Sequence, residues 1–286
     1  MYKARITRDN PSAIIVMLDI SGSMEDIVFF DGQKITKRDA VAQTINDLIS
    51  ELIARCKREE GYRDYIDIAI IGYGSDKVLS LLPEGADDEF FRKPSELAKM
   101  KTPHTTIYKD RILPDGVRTI TPIEKRIWIK PEAHGRTPMH KCFTQVYEIL
   151  KKWLINHSDK YCFSPVVINI TDGEATDADE VDLKNISAKI KDLSTADGNV
   201  LLINMCLTPD SSQNSIFLPR SKEELPDKPF AKLMYEISSI MPSLFVNEQT
   251  GSPLNRDNCK GLCYNASMED LINMLNIGTI SVKLIK

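Results

Sequence analysis

Asp19, Ser21 and Ser23 stand at alternate positions directly after the apolar run Ile14 to Leu18. A strand over that run would deliver one carboxylate and two hydroxyls to its carboxyl end, where the ligand crevices of open α/β sheets lie. Such a set is hard, all-oxygen and weakly charged, which suits Mg²⁺ or Mn²⁺ and does not suit zinc. By themselves the three residues read equally well as a polar turn bonding its own backbone. Two further oxygen donors favour the metal. Thr137 lies in Gly135-Arg136-Thr137-Pro138 just before a segment of helical period, and Asp172 follows Thr171 at the end of a second apolar run.

Phosphoryl chemistry through Asp19 would need a second carboxylate two residues on as acid and base, and Ser21 holds that position. A hydroxyl cannot exchange protons near neutral pH as a carboxylate does. Neither a phosphate-cradling Gly-x-x-x-x-Gly-Lys loop nor a Gly-x-Gly-x-x-Gly turn is present. A non-catalytic binding site is therefore expected, with a Mg²⁺-dependent phosphohydrolase as the weaker alternative. The acidic run Glu174, Asp177, Asp179, Glu180 and Asp182 reads as the solvated start of a helix, and His134 and His140 read as surface-loop residues.

The elements that must position these residues follow from apolar patterning. Ala13 to Leu18, Ile66 to Gly72, Lys77 to Leu82, Val166 to Thr171 and Val200 to Cys206 read as strands buried on both faces, with a short sixth at Gly261 to Tyr264. Helical spacing marks about Arg38 to Glu59, Met139 to Leu154, Leu183 to Leu193 and Pro229 to Met241, and Ser267 with Asp270 resembles a capping pair opening a last helix. This alternation predicts an α/β fold, three-layered and doubly wound, whose mostly parallel central sheet is flanked by helices. Two stretches break it: Pro83 to Pro131, with six prolines and a possible short strand at Ile127 to Ile129, and the polar loop Thr208 to Pro226. The first reads as an inserted small subdomain of hairpins or short helices, since so long a structureless loop is rare in a compact domain.

The 286 residues are thus read as one elaborated domain, with the insertion at about 83–133 and a C-terminal extension from about 227. Lys and Arg total 37 against 41 Asp and Glu, a formal charge of −4, so no basic field favours nucleic acid. The apolar runs are too short to span a bilayer and the first dozen residues lack an apolar signal core, so a cytoplasmic protein without membrane partner is expected. Six cysteines lie mostly singly, which predicts reduced thiols. Cys259 and Cys263 lack nearby histidines to complete a zinc site.

On Asp19, Ser21, Ser23, Thr137 and Asp172, in that order along the chain, the sequence resembles the von Willebrand factor A domain and its metal-ion-dependent adhesion site. Leu18 to Met24, Gly135 to Pro138 and the tail from Pro226 to Met241 and Leu275 to Thr279 resemble most the intracellular bacterial type found with tellurium-resistance and stress loci. The resemblance implies that the serines and the threonine contact Mg²⁺ or Mn²⁺, that the aspartates act directly or through water, and that a protein partner's Asp or Glu completes the shell. It further implies an adaptor working beside kinase and phosphatase components. The alternative within the same family is a subunit of a chelatase-like ATPase complex. The long segment from Pro83 to Pro131 departs from the family pattern by widening the separation of Ser23 from Thr137.

Overall fold

A computed structural model describes residues 2–4, 6–7, 9–30, 33–83, 90–112, 118–207, 214–242 and 258–279. Its centre is β1 (Ser12–Asp19), every residue of which is buried because the sheet is covered on both faces. Parallel pairing joins β1 to β6 (Ile66–Gly74) on one side and to β10 (Val166–Thr171) on the other. Beyond β10 the sheet continues in parallel through β11 (Leu201–Cys206) to β13 (Leu262–Tyr264). Antiparallel edges close it: β7 (Lys77–Ser80) beside β6 and β12 (Ile216–Phe217) beside β13. The order β12-β13-β11-β10-β1-β6-β7 makes a seven-stranded, mostly parallel sheet.

Alternate side chains of β1 feed two apolar layers, as the two-residue period of a strand requires. Ile14, Val16 and Leu18 join Val41, Ile45 and Ile49 of α1 (Lys37–Cys56), Leu97 of α2 (Pro94–Lys99) and Leu271 and Met274 of α6 (Met268–Gly278). Ile15 and Met17 pack with α3 (Met139–Asn156), α4 (Glu180–Asp192) and α5 (Pro229–Ile237) through Phe143, Ile186 and Met234. Helices thus cover both faces, the doubly wound arrangement expected of the alternating apolar pattern. Ser267 and Asp270 do cap α6: the Ser267 hydroxyl accepts from Asp270 N at 3.1 Å, and Asp270 accepts from Ser267 N at 2.9 Å. From residue 227 onward, α5, β13 and α6 are built into the same layers and sheet.

Several boundaries differ from the sequence reading. Lys77 to Leu82 is no buried strand but a shorter edge strand, its residues alternately exposed, turned back on β6 through Ser75 and Asp76 at positive φ. The helix read to Glu59 stops at Cys56, where Lys57–Arg58 (β4) pairs with Gly61–Tyr62 (β5), and that read to Met241 stops at Ile237. A hairpin of β2 (Ile27–Phe30) and β3 (Gln33–Thr36) precedes α1, unmarked by any sustained buried pattern. In the insertion, α2 is followed by the hairpin of β8 (His104–Ile112) and β9 (Arg118–Arg126). Ile127 to Ile129 lies outside every strand, because Asn46 on α1 takes over its pairing: the Asn46 carbonyl oxygen accepts from Trp128 N and Ile129 N, and its amide donates to Ile129 O. Residues 84–89, 113–117 and 208–213, which fall in the two stretches that break the alternation, lie outside the described residues.

Candidate metal centre

Between β1 and β10 the strand order changes direction, since the chain passes from β1 to β6 on one side and returns to β10 on the other. Such a point opens a crevice at the carboxyl ends of the strands. Asp19 ends β1, and Asp172 follows β10 by one residue.

Asp19 is fully buried. One carboxylate oxygen accepts from Ser21 N at 2.8 Å and the other from the Thr171 hydroxyl at 2.7 Å. Burial pushes its pKa up to about 6, with the Ser21 and Thr171 bonds opposing and the Asp172 charge adding to the rise. No described cation pairs with Asp19. Ser21 and Ser23 follow on the turn, their hydroxyl oxygens 3.2 Å apart, and the Ser23 hydroxyl donates to Asp172 Oδ1 at 2.6 Å. Asp19, Ser21, Ser23 and Asp172 are therefore brought together, buried at Asp19 and open at Ser23.

Thr137 arrives on a separate loop stitched to the first. Gly22 N donates to Gly135 O at 3.0 Å, His134 N to Ile20 O at 2.8 Å, and Ser75 N to Arg136 O at 3.2 Å. Gly135 sits at φ 71°, and a Cβ there would lie 2.6 Å from the Ser75 hydroxyl, so glycine is needed both for its left-handed backbone and for the approach. Thr137 itself is held by its backbone, N donating to the Thr176 hydroxyl and O accepting from Thr176 N, both at 3.0 Å. Its hydroxyl bonds none of the described residues, including the other four site residues.

The acidic run does two local jobs. Asp177 accepts from His140 N and Lys141 N, capping α3, and Asp179 accepts from Asp182 N, capping α4. The His134 imidazole is 71% exposed and lies 3.7 Å from Glu132.

Sequence reasoning missed Lys37. This first residue of α1 is 2% exposed, and its ammonium lies 2.8 Å from Asp172 Oδ2 and 3.0 Å from Asp26 Oδ2. Burial works to lower its pKa, but the two carboxylates outweigh burial and raise it, so the ammonium stays charged. One signal was available: a cation in the first turn opposes the helix dipole and calls for a reason. Thr171, which supports Asp19, was equally visible as the neighbour of Asp172.

The donor set fits a hard divalent cation. Two neighbouring carboxylates, of which the Asp172 charge adds to the raised pKa of Asp19, and the Ser21 and Ser23 hydroxyls supply oxygen alone. Among the described residues no group of three or more His, Cys, Asp and Glu side chains gathers that could hold a metal ion, so a cation here would rest on hydroxyls beside the two carboxylates; all six cysteines are buried free thiols.

No protein-family model matches the sequence, and no curated protein does. Solved structures similar in fold include a von Willebrand factor type A protein from Catenulispora acidiphila, at 15% identity and TM-score 0.39, covering 69% of this chain and 33% of that one. Another comprises three N-terminal domains of the type V pili tip protein Mfa5 from Porphyromonas gingivalis, at 13% identity and TM-score 0.33, covering 58% of this chain and 20% of that one. This chain thus corresponds to a minor part of each. Likeness at this distance bears on neither ligand nor partner. No described helix is long and apolar enough to cross a membrane.

Proposed function

We propose that this protein is a von Willebrand A-type adaptor whose Asp19, Ser21, Ser23, Thr137 and Asp172 hold Mg²⁺ or Mn²⁺ and bind a protein partner through it. The observation that carries this reading is the chain of hydrogen bonds of 2.6–3.2 Å linking Asp19, Ser21, Ser23 and Asp172 at the carboxyl ends of two adjacent parallel strands. In the resting structure Asp19 is balanced by a hydroxyl and a backbone donor alone, where a cation would balance it better. When bound, the metal supplies residual positive charge and open coordination positions to an incoming Asp or Glu. Asp19 is the deep anionic anchor, the two serines and Asp172 set the rim, and the unengaged Thr137 hydroxyl is the donor free to turn toward a ligand.

Among the described residues the Thr171 hydroxyl bonds the Asp19 carboxylate, and the one other carboxylate beside it, Asp172, is already tied to Lys37 and Ser23 instead of standing free as an acid or base. A binding role is therefore preferred to hydrolysis. The resemblance in the sequence suggests a cytoplasmic, bacterial, stress- or phosphorylation-linked setting, with kinase, phosphatase or ATPase components as partners. Affinity capture from the source cell, with and without EDTA, tests the reading. Specific partners should be lost in EDTA, return with Mg²⁺ and weaken in Thr137→Ala, whose fold should persist. Capture at full strength in EDTA and in Thr137→Ala would overturn it.

A further inference from the structure

Lys37 breaks a local rule at a high cost. It is a cation at the first position of a helix, where the dipole favours anions, and a lysine buried to 2% exposure, where its desolvation is costly. Conflicts of this kind between local preference and fold collect at functional sites. Its position is specific. The ammonium takes Asp172 Oδ2, leaving Oδ1 to the hydroxyl of Ser23, so the lysine adds its charge without occupying the oxygen that meets another candidate ligand. Its second partner, Asp26, is 59% exposed and belongs to the loop that ends before β2, so water screens that pair while the Asp172 pair stays dry.

The charges then add up to a consequence. Asp19 and Asp172 together neutralise a divalent cation, and Lys37 adds a positive charge that only the solvent-exposed Asp26 offsets. Building on the metal-site reading above, we infer that Lys37 is the specificity-determining residue of this site: its ammonium weakens the hold on the divalent cation and strengthens the hold on an anionic, carboxylate-bearing ligand. A lysine that served only to anchor α1 to β10 would have no such opposed effects. Its loss would loosen Asp172 and weaken both cation and anion binding together.

The experiment measures Mn²⁺ binding by the full chain with calorimetry, and acetate binding to the Mn²⁺-loaded protein by its suppression of water-proton relaxation. Lys37→Met should bind Mn²⁺ roughly tenfold more tightly, the order expected of one unit charge across a partly screened gap, and should bind acetate more weakly. Lys37→Arg should keep both affinities near wild type. If Lys37→Met does not fold, Lys37→Gln, whose amide can still donate to Asp172, gives the test: it should likewise bind Mn²⁺ more tightly and acetate more weakly. Cation and acetate affinities that fall together, or that stay unchanged, in folded Lys37→Met or Lys37→Gln would overturn the inference. Should wild type bind no Mn²⁺, or bind it equally in Asp19→Ala, the metal-site reading itself would be at fault, a result separate from those.

Discussion

The two ends of the sheet each hold an aspartate, Asp19 fully buried and the Asp67 side chain 14% exposed, and their surroundings differ in kind. At the carboxyl end, Asp19 faces backbone, hydroxyls and a second carboxylate. At the opposite end, Asp67 on β6 accepts from the Trp153 indole at 2.7 Å, with His157 Nε2 4.0 Å away and the His157 ring stacked on Trp153 at 4.2 Å. Burial raises both pKa values; at Asp67 the indole, His157 and Lys93 oppose the rise. Asp67 is thus completed by donors and cationic groups of its own fold, whereas Asp19 is surrounded by oxygen atoms that a cation would order. Burial of a carboxylate alone does not mark a metal site; the company of further acceptors does.

The largest effect that could break this comparison is the response to metal. Saturating Mg²⁺ at a hundredfold its dissociation constant should stabilise the wild-type fold by about 2.7 kcal/mol, several degrees in melting temperature. Asp19→Ala should lose that response, and Asp67→Asn should keep it. Thermal melts with and without EDTA, paired with calorimetric titration, decide the matter. An equal response in Asp19→Ala would leave the two ends indistinguishable.

A second test uses pH. The folded pKa of Asp19, about 6, lies above its ordinary value of 3.8. Between these values the folded state binds more protons than the unfolded, so the contribution of this group to stability falls as pH rises through the window. In EDTA, Asp19→Asn should therefore stabilise the fold at pH 7.5, by up to about 3 kcal/mol, and should make little difference at pH 3.5. The amide fits the bonds available: its oxygen can accept from Ser21 N, and its NH₂ can donate to the Thr171 hydroxyl, which already lies 3.0 Å from Gly173 O and can donate there. Metal binding by wild type should weaken below pH 6, approaching tenfold per unit, because the cation then displaces a proton. Chemical denaturation at the two pH values, and Mn²⁺ titration across pH 5 to 7, give the comparison. A destabilised Asp19→Asn in EDTA at pH 7.5 would show that the carboxylate is held by its own neighbours, as Asp67 is.

How much of this was legible beforehand depended on distance along the chain. The Asp-x-Ser-x-Ser turn lies within five positions after a long apolar run, and each of Val166 to Thr171 and Val200 to Cys206 is a continuous buried stretch, so strand ends and candidate ligands could be read together. Thr137 was readable as a residue but not as a neighbour; its placement depends on Gly135, Ser75 and Gly22 meeting across three loops. Lys37 escaped because its two partners lie 11 and 135 residues away, and because the apolar stripe of α1 begins beyond it. Ile27 to Phe30 escaped as a strand because the hairpin it forms is half exposed, Phe29 at 73%.

Removal of the insertion hairpin should have an effect on partner capture alone. The hairpin β8–β9 stands beside α1, and its residues 105–107, 125 and 126 share a groove of about 810 Å³ with Phe30, Gln33 and Ile35 of β2–β3, the hairpin that leaves the candidate metal loop. The core beneath is held by Trp128, Ile129 and the Asn46 bonds, with Arg126 at the foot of the hairpin lying over the Trp128 ring and donating to Ala98 O. Replacing residues 105–125 with a short Gly/Ser linker, which keeps Arg126 on Trp128, should accordingly keep the metal-induced shift in melting temperature while weakening capture of any EDTA-sensitive partner. Capture at wild-type strength by the folded, metal-responsive deletion would confine recognition to the metal loops.

The smallest expected effect lies at the other end of the sheet, in Trp153→Phe. Phenylalanine keeps most of the apolar ring area that Trp153 buries with Ala13 and Cys162, but it removes the indole N–H that Asp67 accepts. Losing one such bond to a buried carboxylate should cost about 1–2 kcal/mol. The sign with pH follows from the carboxylate. Without its donor, Asp67 would have a folded pKa raised further than burial already raises it, so the penalty should be largest at neutral pH, where the unfolded group is ionised, and should shrink as acid protonates both states. The Mg²⁺ response should be unchanged, because Trp153 touches none of Asp19, Ser21, Ser23, Thr137 or Asp172. Denaturant melts at pH 7.5 and pH 4, each with and without Mg²⁺, contain the whole test. A Trp153→Phe protein that loses its metal response would show that the two aspartates are coupled through the sheet, and the contrast between a self-completed carboxylate and a cation-seeking one would no longer separate them.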